Sequence, residues 1–230
     1  MKKFLKISAL VLVVLFTSLF MIGIINNESL PKGEKGDRAE LLATRMLTAL
    51  NKNAYDNITL LEWSFIGGHD YKWYKKEDKV EVAWADNKVI LFTKQPKKSK
   101  VYVDGKEVNA PELIKKAIKY FNNDSFWLVA PYKVKDSGAE RSIVKHNGKN
   151  SLLVTYTSGG STPGDSYLWI LDDNFIPISF KMWVTIIPIG GLKTTWEDWI
   201  TTKAGCKLPT NHTLKLIGMD IHMGDVKASN

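Results

Sequence analysis

The sequence predicts a mainly antiparallel β domain with two or more helices: a strongly curved half-barrel closed by the helices and preceded by one N-terminal transmembrane or signal helix. Three observations predict it. Turn dipeptides such as Asp104-Gly105 and Asn147-Gly148 sit between stretches of alternating apolar and polar residues, the signature of β-hairpins. Two longer stretches repeat their apolar residues at helical spacing. Behind Lys2, Lys3 and Lys6 runs an uncharged stretch from Ile7 to Ile25.

That stretch comes first in the chain. Its 19 residues would make a helix of about 28 Å, close to the roughly 30 Å hydrocarbon core of a bilayer. A cleaved signal peptide has the same charge layout but a shorter apolar core, about 7–15 residues, and small residues at its cleavage site. Here the exit reads Phe20-Met21-Ile22-Gly23-Ile24-Ile25-Asn26-Asn27, with no A-x-A-like pattern. Residues 1–26 are therefore expected to be a signal anchor in preference to a signal peptide. The positive flank stays cytoplasmic and sends the bulk of the chain across. Residues 27–37, with Pro31, Gly33 and Gly36, read as a polar linker. Residues 38–230 remain for one domain, long enough to bury a real core.

Within the domain, Leu42, Met46, Leu47 and Leu50 share one face of a helix that begins near Asp37. Strands follow. Val80, Val82 and Trp84 alternate with Lys79 and Glu81, and Val89–Thr93 answers them beyond a turn at Asp86-Asn87. Val101 and Val103 lead to Asp104-Gly105. A second helix is expected from about Ala110 to Asn122, opened by Pro111 and carrying Leu113, Ile114, Ala117, Ile118 and Phe121 as its apolar stripe. Then Ser142–Lys145 and Ser151–Thr157 flank Asn147-Gly148, Tyr167–Leu171 and Ile178–Thr185 flank Asp172-Asp173-Asn174, and Gly190-Gly191 leads into Leu192–Thr201. This makes about nine to eleven strands, too many for an open sheet to stay uncurled, so the helices are expected to line its concave face.

Composition narrows the chemistry. The lone Cys206 allows neither an intrachain disulfide nor a lipid-modified cysteine beside the apolar run. Of the net charge of +8, three lysines belong to the N-terminal flank, and the cluster Lys94, Lys97, Lys98 and Lys100 reads as a solvated face; no nucleic-acid partner is expected. His69, His146, His212 and His222 show no helical metal-pair spacing, so neither metal nor cofactor is expected. The small-residue stretch Ser158–Ser166 holds Ser161, a nucleophile only if His69 or His212 joined it. Pro163 spoils the G-x-S-x-G pattern, leaving a hydrolase as the third reading behind two binding readings.

Eight tryptophans mark one sheet face as strongly aromatic. The candidate cavity-lining residues are Trp84, Phe92, Phe126, Trp127, Trp169 and Trp183. The uncharged tip Val184–Leu192, with Ile187, Pro188 and Ile189, is expected to touch a membrane or an envelope partner protein. The segments Phe126-Trp127-Leu128-Val129-Ala130-Pro131, Tyr167-Leu168-Trp169-Ile170-Leu171-Asp172, Met182-Trp183, Trp196-Glu197-Asp198-Trp199 and Lys207-Leu208-Pro209-Thr210 resemble an uncharacterised family of bacterial envelope proteins. That family is similar in turn to the lipoprotein-carrier superfamily of the LolA and LolB type. The resemblance implies a curved antiparallel half-barrel, an apolar cavity for acyl chains, and no catalytic residues.

The sequence expectation is thus a non-enzymatic protein of the bacterial envelope, held in the membrane by residues 7–25 and binding lipid or another apolar ligand outside the cytoplasm. The alternative is an envelope scaffold whose half-barrel is filled by its own side chains.

Overall fold

A computed structural model describes residues 23–158 and 162–230, with the single positions 8, 17 and 21. Most of the expected anchor, and Ser161, lie outside the described residues. Among those described, no helix is long and apolar enough to cross a membrane.

The domain opens with helix α1 (Asp37–Ala49) and the short α2 (Lys52–Asn57). Six strands follow: β1 (Leu60–Phe65), β2 (His69–Tyr74), β3 (Lys79–Trp84), β4 (Asn87–Phe92), β5 (Lys100–Val103) and β6 (Lys106–Val108). Helix α3 (Pro111–Val129) leads to β7 (Ala139–His146), β8 (Lys149–Tyr156), β9 (Ser166–Leu171), β10 (Pro177–Trp183) and β11 (Leu192–Thr195). The chain ends with the small pair β12 (Ile200–Thr201) and β13 (Lys207–Leu208), then β14 (Asn211–Leu214) and the long β15 (Met219–Ser229). Thirteen of these strands form one antiparallel sheet in the order β6-β5-β4-β3-β2-β1-β15-β14-β11-β10-β9-β8-β7. Two meanders are thus joined through the C-terminal strand.

The sheet is curved, and α3 measures the curvature. Tyr120 meets Trp84 on β3 with ring centroids 5.5 Å apart, and Trp127 meets Phe180 on β10 at 5.9 Å. Seven helical residues rise only about 10 Å, whereas the six strand steps from β3 to β10 span about 29 Å along a flat sheet. The sheet must therefore wrap around the helix. It stays unclosed: β6, short and fully exposed, forms one edge. The other edge, β7, exchanges backbone hydrogen bonds of 2.9 and 2.8 Å between Glu34 and Ile143.

The structure departs from several sequence expectations. The β3–β4 turn falls on Ala85-Asp86, one residue early, with Ala85 at φ 45°. Helix α3 continues past Asn122 to Val129 because its one buried acid, Asp124, finds partners on the sheet. The expected strand Leu192–Thr201 stops at Thr195; Asp198 turns the backbone to φ 53°, and Trp196 and Trp199 occupy the break. β15 carries a bulge opposite Glu62 and Ser64, with Asp225 at φ 50°. Its buried residues change from Ile221 and Met223 to Ala228 across the bulge, so no single alternation marks the strand.

The polar stretch 27–37 is not a free spacer. It crosses the face of the sheet opposite the helices, from Gly190 and Trp183, which contact Glu28, to Ser142 beside Gly33. Beneath this strap lies a small outer cluster of Val144, Leu153, Leu168 and Trp183.

Candidate functional site

The face of the sheet under α3 is aromatic because register aligns its inward residues. Leu152, Trp169, Phe180, Thr194 and Leu214 form one row across β8, β9, β10, β11 and β14. Tyr167 stands beside Met182 in the next row. From above, the last turns of α3 lower Phe126 to 4.8 Å from Tyr167 and Trp127 to 5.5 Å from His212, centroid to centroid. Trp196 closes the group, 5.0 Å from Trp169 and 4.4 Å from His212. Trp169, Phe180 and Trp196 are fully buried, whereas Phe126 and Trp127 are half-buried at the lid.

Polar atoms inside this aromatic cluster lack partners. The Nε1 donors of Trp169 and Trp196, Thr194 Oγ1 and His212 Nε2 are buried without a hydrogen bond. His212 Nδ1 donates to the Thr195 carbonyl at 3.0 Å, and Nε2 makes no hydrogen bond of ordinary geometry. Burial pushes the His212 pKa down to about 4, opposed only by the Thr195 and Trp127 carbonyls, so the ring is neutral at physiological pH. An indole N–H can only donate, so the two tryptophans seek an acceptor.

A polar latch holds α3 over the sheet. Asp124, 2% exposed, accepts from Tyr71 Oη at 2.5 Å and pairs with His69 Nδ1 at 2.7 Å. The His69 ring stacks on Tyr120 of the helix at 3.9 Å. Neighbouring Tyr71 has its phenol pKa raised, first by burial and then by the Asp124 carboxylate it bonds.

Of the six residues expected to line a cavity, Phe126, Trp127 and Trp169 come together here. Trp84 shares the inward face but sits further along α3, against Tyr120, with the Lys116 ammonium 5.7 Å above its ring. Phe92 and Trp183 belong to the opposite face: Phe92 pairs with Lys79, outward of the buried Val89 and Leu91, and Trp183 lies under the strap. Both sit one step out of phase with the buried set, which pleat parity settles. At the tip, Ile187 and Ile189 turn back onto the core, whereas Pro188 stays exposed and Ile186 is 74% exposed. Sequence reading did not place Tyr167, Phe180 or His212 in the cavity lining; the first two were available from their alternation with Trp169 and Met182.

His69 and His212 serve Asp124 and the Thr195 carbonyl. Among the described residues no group of three or more His, Cys, Asp or Glu side chains is placed to hold a metal. Surface concavities of about 320 and 420 Å3 lie elsewhere, beside β5–β6 and on the outer face around His146 and Ile178.

No family model matches the chain, and no curated protein does. Among solved structures it is similar to a DUF1329 family protein from Desulfovibrio piger, at 8% identity and a TM-score of 0.42, covering 84% of this chain and 94% of that one.

Proposed function

We propose that the chain is a membrane-anchored extracytoplasmic binding protein for lipid or another apolar ligand, acting in lipid or lipoprotein handling at a bacterial envelope. On this reading its half-barrel is of the LolA and LolB type, closed by its helices, and it works without a catalytic step or cofactor. The observation that carries the reading is this aromatic cluster, because it combines an apolar wall with unpartnered donors and two half-buried rings on α3.

An acyl chain would displace Phe126 and Trp127 and lie against Tyr167, Phe180 and Trp169. An ester or carboxyl oxygen on the ligand supplies the acceptor that the Trp169 and Trp196 N–H groups lack; a buried donor without one costs about 1–3 kcal/mol. The test is native mass spectrometry and solvent extraction of the full chain purified in mild detergent. A copurifying acyl lipid, lost in Phe126→Asp, is the expected result. A lipid-free chain whose tryptophan emission ignores added fatty acid would overturn the reading.

A second reading has its own observation: Trp169, Phe180 and Trp196 are already enclosed by the chain's side chains. The half-barrel is then self-filled and the protein is an envelope scaffold. That reading gains if the lipid-free result is found and Ile186→Ser abolishes capture of a partner while folding persists.

A further inference from the structure

Strand direction gives the curved sheet two rims. One rim collects the ends of β1, β3 and β10 and the starts of β2, β4 and β11. It also carries the β14–β15 turn, because β14 runs antiparallel to β11 and Lys215 N bonds the Lys193 carbonyl. The turns at 66–68, 184–191 and 215–218 are therefore neighbours on this rim. The other rim holds the turns at 172–176, 147–148 and 93–99.

The three adjacent turns at 66–68, 184–191 and 215–218 differ in chemistry from the other turns. They expose Ile66, Ile186, Ile217 and Met219, with Ile186 74% and Ile217 66% exposed, beside Lys215; further along the same rim the turns at 85–86 and 104–105 carry Asp86 and Asp104. The second rim carries Lys94, Lys97, Lys98, Asp173 and Asn174 on its turns, with Ile178 exposed singly at the start of β10. An apolar side chain at the tip of each of three adjacent turns is unusual for a surface meeting only water.

The N-terminal chain arrives at the apolar rim. The uncharged run ends at Ile25, and the helical residues 23–26 lie against the 184–191 loop: a Cβ on Gly23 would stand 3.9 Å from Ile189 Cδ1. The next two residues are then pinned. Gly190 N donates to Asn27 Oδ1 at 2.8 Å, Glu28 N to the Gly190 carbonyl at 2.9 Å, and Trp183 Nε1 to the Glu28 carbonyl at 2.7 Å. Lys181 Nζ donates to both Glu28 carboxylate oxygens at 2.7 Å. A free linker of this length would wander over roughly 18 Å. A pinned one holds the rim within about 7 Å of the run's last residue, two residues away.

We infer that this rim, formed by Ile66, Ile186, Ile217 and Met219 beside Ile24 and Ile25, is a membrane-seated surface that the strap holds rigidly against the lipid bilayer. The occupant is a bilayer because the chain's longest uncharged run ends in the patch. Trp183 and Lys181, bonded to Glu28, sit where amphipathic and cationic side chains favour the headgroup level. The inference rests on the anchored reading of residues 7–25 and goes further by fixing the domain's orientation. It also turns Tyr167 and Phe126, at the rim side of the aromatic cluster, toward the lipid.

The experiment uses the full chain in phosphatidylcholine–phosphatidylglycerol vesicles, with a bimane label on Ile186→Cys, Ile217→Cys or Asn174→Cys. Cys206 is buried and stays unlabelled. Nitroxide-bearing lipids should quench the labels at 186 and 217 several-fold and leave the label at 174 unchanged. If the chain floats with the vesicles but 217 is not quenched, or 174 is quenched equally, the seated rim is wrong and the anchor stands. A chain that does not float overturns both.

Discussion

Asp124 shows what a single side chain decides. Its type and place in an Asn-Asn-Asp-Ser run suggest the end of a helix, yet it is buried, with Tyr71 and His69 as partners. Asp124→Ala leaves the buried Tyr71 hydroxyl without an acceptor and should cost about 1–3 kcal/mol, read as a lower urea midpoint with an unchanged slope. His212 sets a pH dependence. Its pKa in the fold, about 4, lies below the ordinary 6.5, so the unfolded chain takes up the proton first as pH falls. The contribution is complete above about pH 6.5, declines as pH falls toward 4 and is flat below, amounting to about 3 kcal/mol at most. Urea titrations at several pH values should show that decline, and His212→Gln should flatten it. Neither environment was legible from sequence, because what a polar residue bonds depends on chain far away in sequence.

At the scale of elements, α1 and the hairpins around Asp104-Gly105 and Asn147-Gly148 were legible because their signals are local. Both turns have two successive positive φ values, at 49° and 74° and at 49° and 78°, as expected of such dipeptides. The strap was not legible. Its composition is that of a linker, and only the sheet's outer face gives it bonding partners. Gly190 makes that docking possible: a Cβ there would come within 2.5 Å of Trp183 Cδ1 and 2.6 Å of the Glu28 carbonyl. Gly190→Ala should therefore lift the strap, with faster proteolysis between Glu28 and Lys35 and a loss of about 1–3 kcal/mol from overpacking.

For the whole molecule, the decisive element is the last one. β15 pairs with β1 on one side and β14 on the other, joining the two meanders. Ending the chain at Gly218 should abolish cooperative thermal unfolding, measured by circular dichroism, because it removes a central strand instead of an edge. The sequence by itself determined the antiparallel class, the amphipathic helices, the aromatic face and the apolar N-terminal run, because propensity, alternation and turn chemistry act over a few residues. Tertiary structure decided the rest: which tryptophans face α3 and which face the strap, which isoleucine at the tip is exposed, and where the bulged C-terminal strand inserts. Those outcomes depend on register between strands up to 169 residues apart, as Leu60 opposite Ser229. A one-residue shift in register exchanges the faces, and no local pattern records which partner a strand will meet.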